Sequence, residues 1–88
     1  MFALERTEGM NRKTDALLSI LAKNVRRCRD AKGWTQEELA HVSGFHRTYV
    51  GAVERGERNL TLSTLSALAE ALDTTVIALL RESKDNEQ

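Results

Sequence analysis

The segment TQEELAHVSGFHRTYVGAVERG, residues 35–56, decides the fold of this chain. It opens with Thr35-Gln-Glu-Glu38, in which a threonine at the N-cap and a glutamate three residues later form a capping-box pattern. Gly44 follows about two helical turns later and supplies the positive φ angle that a tight turn needs. The segment therefore predicts two short helices, at about 36–42 and 46–55, joined by a turn at Gly44.

Three small or β-branched residues stand at fixed places within residues 36–55. Ala40 is the fifth residue of this stretch, Gly44 the ninth and Val50 the fifteenth. The alanine leaves room for the following helix to cross, the glycine allows the turn, and the valine anchors the second short helix on its neighbours. This combination is the helix-turn-helix pattern.

The rest of the chain also predicts helices, so we expect an all-α fold of five helices. The chain has no proline, and its residues favour helix over strand. A first helix begins at about Thr14 and ends at Gly33. A fourth is capped by Thr61 or Ser63, and a fifth by Thr75. The side chains expected inside are Leu17, Leu21, Val25, Cys28, Leu39, Ala40, Val42, Val50, Val53, Leu62, Leu65, Leu68, Ala69 and Leu72.

With 88 residues, the chain has the length of one small domain. We expect a flexible segment at residues 1–12, a helix-turn-helix DNA-binding domain at 13–82, and a charged tail at 83–88. Net charge is zero, but residues 1–60 carry 11 Lys/Arg against 8 Asp/Glu, and residues 61–88 carry 2 against 5. This asymmetry permits a contact with DNA without demonstrating one.

Several classes of protein are disfavoured by the sequence. It has neither an apolar run of the roughly 20 residues that a membrane span requires nor the apolar region of a signal peptide, which predicts a cytoplasmic protein. Cys28 is the only cysteine, and it has no spacing to His41 or His46 that suits a metal. A glycine-rich phosphate loop is also missing. We therefore expect no metal, no cofactor and no enzymatic activity.

Residues 18–82 resemble the lambda-repressor-like family, also called the xenobiotic-response-element type. The stretches that carry the resemblance are RDAKGWTQEELAHVSG, VERGERN and LSTLSALAEALDTTVIALL. Within this family, GFHRTYVGAVERGERNLTL is most similar to the controller proteins of restriction–modification systems. The resemblance implies a transcription regulator that binds a palindromic operator as a homodimer through its third helix.

The third helix and its surroundings supply the expected DNA-binding residues. Arg47 is the expected base reader because arginine can donate to O6 and N7 of guanine together, and Thr48 offers a hydroxyl and a methyl group. Gln36 is expected to hold a phosphate at a helix N-terminus, while Tyr49 contacts either DNA or the core. The full set is Thr35, Gln36, His46, Arg47, Thr48, Tyr49, Ala52, Arg55, Arg58 and Asn59.

The resemblance also implies two structural features. Arg29 matches an arginine that pairs with the acidic residue at the position of Glu54. Val76, Ile77 and Leu80 match a helix that pairs across a two-fold axis, although the same side chains could instead close the core of a monomer. RNA polymerase is a further partner implied by resemblance, at Glu37, Glu38 or the surface near them.

The sequence therefore predicts a sequence-specific DNA-binding transcription regulator, most similar to a restriction–modification controller protein. Two alternatives stay open within the same fold class. One is a phage-type repressor or an antitoxin that regulates its own gene. The other is a protein-interaction module that keeps the fold without binding DNA, which the zero net charge favours slightly.

Overall fold

The computed structural model describes residues 12–82, which form five α-helices and contain no β-strand. The all-α prediction is confirmed. The predicted tail and nearly all of the predicted flexible segment lie outside the described residues, although Arg12 already belongs to the first helix. The helices are α1 (Arg12–Ala31), α2 (Gln36–Ser43), α3 (Arg47–Glu54), α4 (Leu62–Ala71) and α5 (Val76–Leu79).

The capping box at the start of α2 is confirmed. The backbone N–H of Glu38 donates to Oγ1 of Thr35 at 3.1 Å, and the backbone N–H of Thr35 donates to Oε1 of Glu38 at 2.7 Å. Thr61 and Thr75 are the N-caps of α4 and α5, and the side chain of each accepts a hydrogen bond from one backbone N–H of the first turn. The starts of three helices are thus fixed by local hydrogen bonds.

Gly44 makes the turn between α2 and α3, as predicted. Its φ angle is +83°, and its N–H donates to the carbonyl oxygen of Ala40 at 2.9 Å. A Cβ atom added at Gly44 would meet no other atom within 4 Å. The left-handed backbone conformation, rather than close packing, is therefore what requires glycine here.

All five helices contribute to a single apolar core. Helix α2 packs against α3 and α4, whereas α1 packs against α3 and α5. Val50 and Val53 place the inner face of α3 in this core, as predicted. The most deeply buried apolar side chains are Leu39, Leu68, Leu79, Val25, Val50 and Val53.

Four side chains expected inside lie wholly or partly outside. Leu17 is 47% exposed, Val42 is 50% exposed, Leu62 is 77% exposed, and Cys28 is only half-buried. The buried stripe of α1 begins at Leu18 instead of Leu17. Val42 lies in the last turn of α2 and Leu62 is the first residue of α4, so fewer neighbouring helices cover them.

Candidate DNA interface

The N-terminus of α3 presents polar side chains that the fold itself does not use. His46, Arg47 and Thr48 are all exposed. Within residues 12–82, the side chains of Arg47 and Thr48 have no hydrogen-bond or ion-pair partner. His46 occupies the N-cap position without capping the helix through its side chain. These three side chains are therefore available to another molecule.

An open groove of about 470 Å³ connects the start of α3 with the start of α2. It brings together three of the predicted DNA-binding residues, Thr35, Gln36 and Arg47, and it is also lined by Arg29, whose charge is paired with Glu54. Glu37 lines the same groove and opposes an anion there. The groove thus joins the predicted base reader Arg47 to Gln36, the predicted phosphate contact, and to Thr35.

Gln36 serves the fold in a way that the sequence did not indicate. Its Nε2 atom donates to Oε1 of Glu54 at 3.0 Å, so the amide links α2 to the end of α3. This bond uses an N–H group that was expected to hold a phosphate. A phosphate at this end of α2 is then left mainly to the backbone N–H groups of the first turn.

Glu54 and Arg29 form a short ion pair between α3 and α1. Nε of Arg29 lies 2.6 Å from Oε2 of Glu54, and Nη2 of Arg29 donates to Oε1 at 3.0 Å. The Glu54 side chain is fully buried, and that of Arg29 is 12% exposed. Arg26 adds a weaker contact, with its Nε atom 3.7 Å from Oε1. The Arg26 contact had a signal in the sequence, because Arg26 stands three residues before Arg29 on the same helix face.

Opposing effects set the charge state of this pair. Burial raises the pKa of Glu54, but the hydrogen bonds from Arg29 and Gln36, with the charges of Arg29 and Arg26, bring the pKa below its ordinary value. The hydrogen bond with Glu54 also raises the pKa of Arg29. Glu54 is therefore ionised at neutral pH, and it ties α3 to both α1 and α2.

The middle of α3 is less open than its sequence indicates. Gly51 is buried, and a Cβ atom added there would lie 3.2 Å from Nη1 of Arg55 and 3.5 Å from Oε1 of Gln36. Arg55 itself is exposed and pairs with Glu57 at 3.1 Å. Ala52 is only 9% exposed and has little surface to offer a thymine methyl group. Gly51 thus makes room for the guanidinium of Arg55 on the outer face of α3.

The loop after α3 carries the remaining predicted contacts. Arg55, Arg58 and Asn59 are all exposed. The guanidinium of Arg58 stands 5.4 Å from the ring centre of Tyr49, within cation–π distance. Tyr49 is half-buried, and its ring centre is 5.3 Å from that of Phe45. Tyr49 therefore packs on the core and supports an exposed arginine, while a contact of its hydroxyl with DNA stays a prediction.

The candidate dimer residues lie on α5 and, for Leu80, at its C-cap. Ile77 is 72% exposed, whereas Val76 and Leu80 are half-buried against the core. Leu79 belongs to the core, with 1% of its surface exposed. Ile77 is thus the one large apolar side chain of this helix that stays exposed, and the half-buried Val76 and Leu80 lie beside it.

Residues 12–82 contain neither a candidate membrane helix nor a candidate metal cluster. None of the helices there combines the length and the apolar character needed to cross a bilayer. No cluster of three or more His, Cys, Asp or Glu side chains is arranged to hold a metal ion in that part of the chain.

Several proteins of known name are similar to this chain in sequence or in structure, and controller proteins are among them. The control protein C.SmaI of Serratia marcescens is 59% identical over 70 residues, covering 78% of this chain and 83% of the relative. The crystal structure of the restriction–modification controller protein C.AhdI from Aeromonas hydrophila has a TM-score of 0.69 and 47% identity, covering 73% of this chain and 97% of that one.

A third relative was solved together with DNA. The controller protein C.Esp1396I, as a tetramer with its natural 35 base-pair operator, has a TM-score of 0.66 and 36% identity, covering 72% of this chain and 83% of that one. The family model described as helix-turn-helix matches residues 25–79, which include α2, α3, α4 and α5 in full. The chain belongs to the helix-turn-helix family.

Proposed function

We propose that this chain is a sequence-specific DNA-binding transcription regulator of the restriction–modification controller type. The observation that carries the proposal is the pair of exposed, unpartnered side chains of Arg47 and Thr48, at the start of a helix whose other end is anchored by Glu54. The controller proteins among its relatives support the same function.

Base reading in this proposal falls to the start of α3. In helix-turn-helix proteins the N-terminal residues of the second helix contact base edges in the major groove. Arg47 donates to O6 and N7 of a guanine, and Thr48 contacts a neighbouring base or a thymine methyl group. Arg55, Arg58 and Asn59 contact phosphates beside the groove, which fixes the register but carries no sequence information directly.

A symmetric homodimer supplies the second half of the site. Ile77, with Val76 and Leu80 at its rim, meets the same side chains of a second copy across a two-fold axis. Such a dimer sets two α3 helices about one DNA turn, ~34 Å, apart, and therefore binds a palindromic operator. The operator-bound tetramer of C.Esp1396I is the relative that supports assembly on DNA.

The proposal has two consequences for location and partners. A regulator of bacterial transcription works in the cytoplasm and acts by occupying DNA, without catalysis. Glu37 and Glu38 are exposed in the first turn of α2, beside the DNA-binding groove. We assign to this acidic surface a contact with RNA polymerase when the operator lies next to a promoter.

The test is binding to DNA from just upstream of the gene, measured across a salt series for wild type and for Arg47→Ala. Wild type should prefer this DNA over a scrambled duplex, and its affinity should fall steeply with salt. Arg47→Ala should lose about 1–3 kcal/mol of that preference, which is the range for one bidentate arginine–guanine contact.

Arg81→Ala is the matched control, because it removes an exposed arginine that follows α5 and belongs to neither α2 nor α3. It should keep the wild-type preference for the upstream DNA. If wild type binds neither duplex at low salt, the regulator proposal is wrong and a protein-interaction module is the better account. If Arg47→Ala keeps full preference, α3 does not read bases through Arg47.

A further inference from the structure

One polar side chain lies fully buried between α1 and α5. Asn24 of α1 has none of its surface exposed, and its Nδ2 atom donates to the carbonyl oxygens of Leu79 at 2.7 Å and Arg81 at 2.9 Å, with Ala78 at 3.5 Å. Nη2 of Arg27 donates to Oδ1 of the same amide at 2.9 Å. Both ends of the Asn24 amide are therefore used.

These bonds close the C-terminal end of a helix that cannot form alone. Helix α5 has four residues, which is a single turn, and short isolated helices are unstable in water. Thr75 caps its start through a 3.0 Å bond from the N–H of Ala78, and Leu79 anchors it in the core. Asn24 supplies the missing partner for the carbonyl groups at its end.

We propose that Asn24 is a positioning residue for dimerisation. It sets the orientation of α5, and with it the direction in which Ile77 leaves the surface, although Asn24 does not reach the surface itself. Arg27 holds Oδ1, so that Nδ2 points towards the carbonyl groups of α5. This inference rests on the dimer face of the proposed function, because α5 matters for assembly only if Ile77 lies in the interface.

If Asn24 positions α5, a change at Asn24 should alter the position of α5 more than it alters the stability of the whole fold. Replacing Asn24 with leucine removes the hydrogen bonds from Asn24 to the end of α5 and keeps a side chain of similar size. Helix α5 then tilts or frays, whereas α2 keeps its capping box and α3 keeps its core contacts. Dimerisation should weaken far more than the fold does.

The experiment measures the dimer Kd by sedimentation equilibrium and amide hydrogen exchange by NMR. For Asn24→Leu we expect the dimer Kd to rise at least about tenfold, with faster exchange confined to α5. Val53→Ala, a buried residue of α3, is the control: it should lower Tm and leave the dimer Kd unchanged. Equal effects of the two variants on the dimer Kd would overturn the proposal.

Two further variants keep the outcomes distinct. Asn24→Ser retains one donor, and should raise the dimer Kd by about threefold or more even if Asn24→Leu does not fold. Failure of both variants to fold would overturn a specific positioning role. Ile77→Glu tests the interface: an unchanged dimer Kd overturns the proposed dimer face and this inference with it. If Ile77→Glu is monomeric and Asn24→Leu dimerises like wild type, only the positioning role of Asn24 is wrong.

Discussion

Replacing Arg29 with methionine should destabilise the domain strongly, because it leaves the Glu54 carboxylate buried. Arg29 makes two hydrogen bonds to this carboxylate, at 2.6 and 3.0 Å, and a third to the carbonyl oxygen of Trp34 at 2.7 Å. Without it, Glu54 keeps the amide of Gln36 at 3.0 Å and the weaker contact with Arg26 at 3.7 Å. Breaking a buried ion pair on one side costs about 3–5 kcal/mol.

That loss is large for a chain of this size. At the usual ~0.05–0.15 kcal/mol per residue, 88 residues give a free energy of unfolding of roughly 4–13 kcal/mol. Arg29→Met would therefore remove a third or more of the stability of an average domain of this length. The variant should still fold at low temperature if the wild type lies near the middle of that range.

The loss of free energy of unfolding in Arg29→Met should also depend on pH. In wild type the pKa of Glu54 in the folded chain is lowered, so its stabilising contribution is complete above the unfolded pKa and is lost as pH falls through the folded pKa. In Arg29→Met, burial dominates and should raise the folded pKa above the unfolded one. Protonation then favours the folded variant, and the difference from wild type shrinks as pH falls from neutral.

Urea denaturation followed by circular dichroism measures both effects, at about pH 7 and about pH 4.5. Arg26→Met is the matched control on the same helix; its side chain is 56% exposed, and it should cost under about 1 kcal/mol. The double variant Arg29→Met/Glu54→Leu should recover most of the loss because no unpaired charge remains. The reasoning is refuted if Arg29→Met costs no more than Arg26→Met, or if its cost grows on acidification.

Two glycine substitutions should have different consequences. Gly44→Ala should lower the free energy of unfolding by about 1 kcal/mol in urea titrations, because φ is +83° although there is space for the methyl group; an unchanged stability would contradict a backbone requirement. Gly51→Ala should leave stability unchanged or raise it by up to ~1 kcal/mol, since alanine favours helix. The same variant should bind operator DNA at least about threefold more weakly, because the new Cβ displaces the guanidinium of Arg55. Wild-type operator affinity in a fluorescence titration would show that the position of Arg55 does not matter.

Local signals explain why much of the fold could be predicted. The capping box at Thr35 and the turn at Gly44 depend on residues within a few positions of each other, and both formed as expected. Leu17 and Leu62 were wrongly assigned to the core because periodicity gives the direction of an apolar stripe but not how far the neighbouring helices cover it. The start of the buried stripe of α1 depends on where α3 and α5 pack.

The polar contacts between helices were harder to predict. The bond from Gln36 to Glu54 joins residues 18 positions apart, and those from Asn24 to α5 and Arg81 span 54 to 57 positions. Nothing in the local sequence indicates such a partner, since an asparagine or a glutamine in a charged helix is ordinarily solvated. Only the packing of α1 against α5 shows that Asn24 lies inside.

The exposed start of α3 has a consequence for how such proteins diverge. The side chains of Arg47 and Thr48 lie on the surface and make no hydrogen bond to the rest of residues 12–82. Substitution at these two positions therefore leaves the core, the Glu54 network and the caps intact. A duplicated gene could acquire a new target sequence through changes there alone, without passing through unstable intermediates. Two regulators that arose by such a duplication could then bind different operators in one cell while sharing almost every other residue of the fold.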